Sequence, residues 1–211
     1  MNTTVCPTVT ADTLESYQAQ MNRLVGFALR IHIDIADGTL TPNVLTSLDQ
    51  VWWPGGVWAD IHIMNRRPLD YLDVILALNP QLVIVHAEGE GSFEDFARTM
   101  RRHGIETGVA LLQKTPVAAI APALHLIDHV LIFSGNLGSY GGKADLSLLQ
   151  KVTQLKSLKP QLEIGWDGGV NDKNARQLAQ GGVDVLNVGG FIQKSKNPEV
   201  AYATLVQELD G

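Results

Sequence analysis

The chain of 211 residues has a single cysteine, Cys6, so no disulfide can form within it and nothing in it asks for an oxidising compartment. No motif surrounds Cys6, which leaves it a structural thiol. Basic residues are the minority charge: 16 Lys and Arg against 22 Asp and Glu give a net charge of −6, with no excess to neutralise nucleic-acid phosphates. The only basic clusters, Arg66-Arg67 and Arg101-Arg102, read as solvated surface pairs. The longest apolar runs stay below a membrane span, and no charged segment followed by an apolar core stands at the beginning of the sequence. There is no linker, no low-complexity stretch, and no Gly-x-Gly-x-x-Gly after a first strand, which argues against a nicotinamide enzyme. The expectation is a soluble cytoplasmic protein, one domain over residues 1–211, with no nucleic-acid or membrane partner.

What the chain does contain is 45% hydrophobic and 18% charged residues, an ordinary globular composition long enough to bury a large core. Its dominant rhythm is a short apolar run, a turn, an amphipathic segment and another apolar run. Strands are expected over Val5–Val9, Ala28–Ile35, Val57–Met64, Leu82–Ala87, Glu106–Leu112, His129–Ser134, Leu162–Trp166 and Val183–Val188. These runs are largely apolar rather than strictly alternating, as in strands covered on both faces. Helices are expected over Ala11–Val25, Pro68–Ala77, Phe93–His103, Pro116–Leu124, Asp145–Lys156, Asp172–Gln180 and Pro198–Leu209. Ser92, Thr115, Asn171 and Asn197 stand at N-cap positions, with Pro116 and Pro198 in first turns. Eight such repeats predict an α/β fold, a single (β/α)8 TIM barrel, with a doubly wound open sheet as the alternative.

Polar residues stand out within these runs. In Ile31-His32-Ile33-Asp34-Ile35, an imidazole and a carboxylate two residues apart share one face of a strand. Asp60-Ile61-His62-Ile63-Met64, Val85-His86-Ala87-Glu88 and Trp166-Asp167-Gly168-Gly169 repeat the pattern at other strand ends. Buried carboxylates persist only with a partner, a metal or water. Together His32, Asp34, His62 and Asp167 make a suitable set for one divalent ion, Zn, Fe, Mn or Co. Barrel sites lie at the C-terminal strand ends, where these residues fall. There too lie Gly168-Gly169 and Gly189-Gly190, whose backbone amides can approach an anion closely and form a phosphate cradle. Gly141 and Gly142, in the long loop after the sixth strand, fit a lid or a further phosphate contact. His103, His125 and His129, in or beside helical segments, are expected to be solvated or capping.

Several separated segments resemble, in order, those of the ribulose-phosphate 3-epimerases, a family of metal-dependent (β/α)8 barrels. His32-Ile33-Asp34-Ile35-Ala36-Asp37-Gly38 followed by Pro42-Asn43 resembles the family's His-x-Asp-x-Met-Asp-Gly segment. His62-Ile63-Met64 resembles its His-Leu-Met, Val85-His86-Ala87-Glu88 its Val-His-x-Glu, and Trp166-Asp167-Gly168-Gly169-Val170 its Val-Asp-Gly-Gly-Val; Gly108-Val109-Ala110-Leu111 with Thr115-Pro116 matches the fifth strand and its loop. The resemblance implies that His32, Asp34, His62 and Asp167 bind the ion and that Asp34 and Asp167 are also the acid/base pair. The implied reaction interconverts D-ribulose 5-phosphate and D-xylulose 5-phosphate through a metal-stabilised enediolate, with two carboxyls flanking the substrate plane. Met64, His86, Phe133 and Trp166 would line the substrate pocket, His86 and Glu88 would orient a metal ligand or bond structurally, and the partners implied are a small sugar phosphate and further copies of the chain in a homo-oligomer.

The chain departs from the family pattern at several places. Ala36 and Phe133 stand where the family has methionine, Thr39-Leu40 replaces His-Phe, Gly190 replaces a serine, and Trp166 is bulkier than the usual residue. The sixth loop, Gly135 to Lys143, is longer than the family's, and Cys6 to Asp12 matches the family's first segment only in part. These changes spare the metal and acid/base residues and bear on the substrate. A ketohexose 6-phosphate 3-epimerase and a non-catalytic phosphosugar-binding relative are the alternatives. A decarboxylase of the orotidine-phosphate type would need a lysine that Asp34-Ile35-Ala36-Asp37 lacks.

Overall fold

The computed structural model describes residues 3–210. Eight parallel strands, β1 (Thr4–Val9), β2 (Arg30–Ile35), β3 (Trp58–Ile63), β4 (Leu82–His86), β5 (Glu106–Leu111), β6 (His129–Phe133), β7 (Glu163–Asp167) and β8 (Val185–Val188), pair in chain order. Cys6 of β1 pairs with Asn187 of β8, which closes the ring and excludes an open sheet. Each strand lies where the apolar runs place it, with ends shifted by no more than two residues. Outward positions such as Ile31, Ile33, Ile61, Ile63, Val83, Val130, Ile132 and Ile164 are fully buried beneath the helix layer. Their β-branched side chains suit a pleated surface crowded from outside. Leu82, Ile84, Ala110 and Leu131 fill the barrel interior as a separate apolar cluster.

The lower end of the barrel is plugged by charge. Arg30 donates to Asp60 at 2.9 Å and to both oxygens of Glu163 at 2.8 Å, and the His129 Nδ1 lies 2.7 Å from Glu163. His129 is therefore buried in an ion-pair network rather than solvated or capping, because it opens β6 with its side chain inward. Gly165 makes this possible: a Cβ there would collide with the His129 ring. His103 and His125 are exposed, His103 at the C-cap of its helix.

The helices are α1 (Leu14–Asn22), α2 (Leu72–Leu78), α3 (Phe93–Arg102), α4 (Leu149–Leu158), α5 (Ala175–Gln180), α6 (Gly190–Gln193) and α7 (Pro198–Asp210). Ser92 accepts from the Asp95 N–H at 3.1 Å and Asn197 from the Val200 N–H at 3.2 Å, as expected of N-caps. Three expectations are corrected. Residues 116–124 form only 3-10 turns, Val117–Ala119 and part of Ala121–Leu126, because Pro122 interrupts an already short segment. Thr115 caps nothing; its hydroxyl goes to Glu88. Asn171 forms a turn by accepting from the Lys173 N–H at 2.9 Å, and α5 begins three residues later than expected, after Asn174. Among the described residues no helix is long and apolar enough to cross a membrane.

Candidate active site

Strand periodicity brings the predicted residues together. β2 sends both His32 and Asp34 inward, and Asp34 is paired in register with His62 on β3. The Asp34 Oδ1 lies 3.0 Å from the His62 Nδ1 and 3.3 Å from the His32 Nε2. Asp167, at the end of β7, reaches within 3.7 Å of the same His32 nitrogen. One ligand atom from each of these four residues lies within 4.8 Å of the others, and both imidazoles are completely buried. Among the described residues neither nitrogen of His32 has a hydrogen-bond partner, although two carboxylates lie close by. Four ligand groups that converge on one point, with the His32 imidazole left unbonded there, fit a shared cation.

The surroundings select which His62 nitrogen faces that point. The His86 Nδ1 lies 3.1 Å from the Glu88 Oε2, and the His86 Nε2 lies 2.9 Å from the His62 Nε2. Glu88 also accepts from the Leu112 N–H at 3.2 Å and from the Thr115 hydroxyl. Burial favours its neutral form, but the contacts from His86 and Thr115 outweigh this and hold its carboxyl below the usual range. An ionised Glu88 requires a proton on the His86 Nδ1. A neutral His86 would then accept at Nε2 from His62, leaving the His62 Nδ1 lone pair free for a cation beside Asp34. Burial pushes His62 down to about 4, against the pull of Asp34, so it is neutral near pH 7. A neutral imidazole nitrogen 3.0 Å from a carboxylate is a further fit to a bound cation.

The two carboxyls differ in proton affinity. Burial raises both. At Asp34 the contacts with His32 and His62 outweigh burial and hold the group well below the usual range, while the Thr10 hydroxyl donates to its Oδ2 at 2.6 Å. At Asp167 burial and the negative charge of Asp34 prevail over His32 and push it up to about 7. Asp34 therefore gives up its proton more readily than Asp167.

Both carboxyls line a cavity of about 350 Å³ that also takes in Thr8, Thr10, Phe133, Asn187 and Lys194, with Gly141, Gly142, Gly168, Gly169, Gly189 and Gly190 on its walls. Gly168 has φ +109° and Gly169 φ +72°, and a Cβ on them would strike Gly135 and Ala144, so neighbouring loops close tightly over the strand end. The sixth loop is pinned by Tyr140, whose hydroxyl donates to the Thr8 carbonyl and accepts from the Thr10 N–H, each at 2.9 Å.

The expected pocket residues divide. Phe133 lines the cavity and its ring lies 6.0 Å from that of His62. Trp166 does not line it: with Asp167 inward, Trp166 points outward and is buried in the main core, its indole donating to the Gly168 carbonyl at 3.1 Å. Met64 is buried with Ala36 and Leu45 beside the site rather than on the cavity wall. His86 touches His62 and lines a smaller, mostly apolar cavity outside β4. Thr10, Tyr140 and Asn187 were not anticipated, since the ends of β1 and β8 beside Thr10 and Asn187 show no local polar pattern and Tyr140 lies in the loop after β6.

A model of the ribulose-phosphate 3 epimerase family matches residues 4–193. A ribulose-phosphate 3-epimerase of Helicobacter pylori is 34% identical over 183 residues, covering 83% of this chain and 84% of that protein. A ribulose-phosphate 3-epimerase of Bacillus subtilis is 29% identical over 183 residues, with the same shares of 83% and 84%. Among solved structures, the 3-hexulose-6-phosphate synthase of Salmonella typhimurium superposes with a TM-score of 0.70 over 97% of both chains at 14% identity, a likeness of fold alone.

Proposed function

Because this chain belongs to the ribulose-phosphate 3 epimerase family, a family of isomerases, we propose that it interconverts D-ribulose 5-phosphate and D-xylulose 5-phosphate by proton transfer at the carbon next to the ketone. The observation that carries this reading is the convergence of Asp34 and Asp167 on one cavity with opposite proton affinities. Inverting that carbon requires a proton to leave one face and another to arrive at the opposite face. The ionised Asp34 takes the C3 proton, and the protonated Asp167 returns one from the other side. In the reverse direction their roles exchange.

The hydrogen bond from Thr10 to the Asp34 Oδ2 keeps the other oxygen of that carboxylate turned towards His32 and His62. A divalent ion of zinc, iron, manganese or cobalt, held by His32, Asp34, His62 and Asp167, would polarise the ketone oxygen as a Lewis acid. The backbone amides of Gly141, Gly142, Gly168, Gly169, Gly189 and Gly190, with the Lys194 ammonium, would receive the phosphate, since all border the same cavity. Tyr140 holds the sixth loop over the site and limits water.

The test is proton NMR of D-ribulose 5-phosphate with the purified protein in deuterated water, with and without a chelator. The expected result is loss of the C3 proton signal as xylulose 5-phosphate forms, blocked by the chelator. No exchange with metal-replete protein would refute the pentulose reading and direct the same assay to ketohexose 6-phosphates. Bound metal without exchange on any ketose phosphate would mark a non-catalytic phosphosugar-binding protein.

A further inference from the structure

Asn187 lies inward on β8 at 1% exposure and borders the main cavity, and neither its Nδ2 nor its Oδ1 has a hydrogen-bond partner among the described residues. The Thr8 hydroxyl on the adjoining strand, also buried and bordering the cavity, is unpartnered as well. Burying a primary amide with both polar atoms unpaired is costly, and a leucine of similar size would avoid that cost. A polar group arriving with the ligand would satisfy it.

The position indicates which group. Asn187 is paired in register with Asp167, the proposed acid, and stands two residues before Gly189 in the proposed phosphate cradle. It therefore lies between the reacting carbon and the phosphate. In a pentulose 5-phosphate the epimerised carbon is C3 and the phosphate is on C5. The only carbon between them, C4, carries one hydroxyl. A hydroxyl both donates and accepts, which matches an amide that offers an N–H and a carbonyl.

We propose that Asn187 is a specificity-determining residue whose amide hydrogen-bonds the C4 hydroxyl of the substrate. This rests on the epimerase reading above. It makes the enzyme discriminate against ketose phosphates that lack a hydroxyl at that carbon, because they leave the buried amide unpaired.

The experiment compares kcat/KM for D-ribulose 5-phosphate and its 4-deoxy analogue in the native protein and in Asn187→Leu. The native protein is expected to prefer the hydroxylated substrate. In Asn187→Leu that preference should fall about 10- to 100-fold, the loss of one well-buried hydrogen bond. The melting temperature should hold or rise, since an unpaired polar group has been removed. If the variant folds poorly, Asn187→Ser is read by the same ratio. Equal losses on both substrates, or an unaltered ratio, would overturn the assignment while leaving the epimerase intact. Absence of C3 exchange in the native protein would refute the epimerase reading, and this assignment with it.

Discussion

Glu88→Gln is a nearly isosteric change that should reverse a hydrogen-bond relay ending at the proposed metal site. Glu88 Oε1 accepts from the Leu112 N–H and the Thr115 hydroxyl, while Oε2 faces the His86 Nδ1 at 3.1 Å. A glutamine keeps its carbonyl towards Leu112 and Thr115, which places its NH2 against His86. The His86 Nδ1 must then accept, its Nε2 must donate across the 2.9 Å contact to His62, and the His62 proton moves to Nδ1, where it faces Asp34. The nitrogen that pointed a lone pair into the site now points a proton. Restoring the ligating tautomer would break hydrogen bonds in a buried chain, at roughly 1–3 kcal/mol. Metal affinity should fall about 10- to 100-fold, the range seen when a group that orients a ligand is altered. The assays are competition for zinc against a chelator of known affinity and nitrogen-15 NMR of the imidazoles, which reads the tautomer directly. Because shape and packing are retained, stability should change by no more than about 1 kcal/mol. Native zinc affinity with His62 still protonated on Nε2 would refute the relay.

Asp34→Asn and Asp167→Asn should each lower epimerisation by about 10²- to 10⁴-fold with the fold intact, as measured by C3 exchange and circular dichroism; a fully active Asp167→Asn would remove the two-carboxyl mechanism. Gly168→Ala places a Cβ at φ +109° against Gly135, so a loss of roughly 1–3 kcal/mol in denaturant titration is expected, with the sixth loop displaced; a native midpoint would show that the loop yields freely. Burial favours the neutral form of Glu163, but Arg30 and His129 prevail and hold its carboxyl below the usual range. A carboxyl depressed in the folded state stabilises fully above its unfolded value near 4.5 and loses that contribution as pH falls below it. The drop in melting temperature from pH 6 to pH 3 should therefore be smaller in Glu163→Gln than in the native protein, and an equal drop would show that the network contributes nothing to acid sensitivity.

The barrel was legible because most strands are short runs rich in Val, Ile and Leu bounded by turn residues, a pattern that needs no knowledge of neighbours. The crossover between β2 and β3 was harder: it contains no α-helix, only a 3-10 turn at Leu48–Gln50, and prolines and glycines left nothing periodic to read. His129 misled because its partner Glu163, and the Arg30 and Asp60 linked to that carboxylate, come from three other strands. Trp166 was placed near the pocket because it is adjacent in sequence to Asp167. Adjacency in a strand puts two side chains on opposite faces.

By itself the sequence determined the strand count, the clustering of polar groups at strand ends, and the pairing of His32 with Asp34 on one face, since these follow from local periodicity. The sequential order of motifs identified the family. Only the tertiary structure separated the proton affinities of the two carboxyls, because Asp34 gains two imidazole contacts where Asp167 has one, at 3.7 Å, and faces the charge of Asp34. Only it showed that Glu88, His86 and His62 form one chain of contacts to the proposed metal site, that Tyr140 reaches back to β1, and that Asn187 has no partner among the described residues. Each of these depends on distances between atoms far apart in the chain, and barrel closure sets those distances through register, which no local pattern of residues encodes.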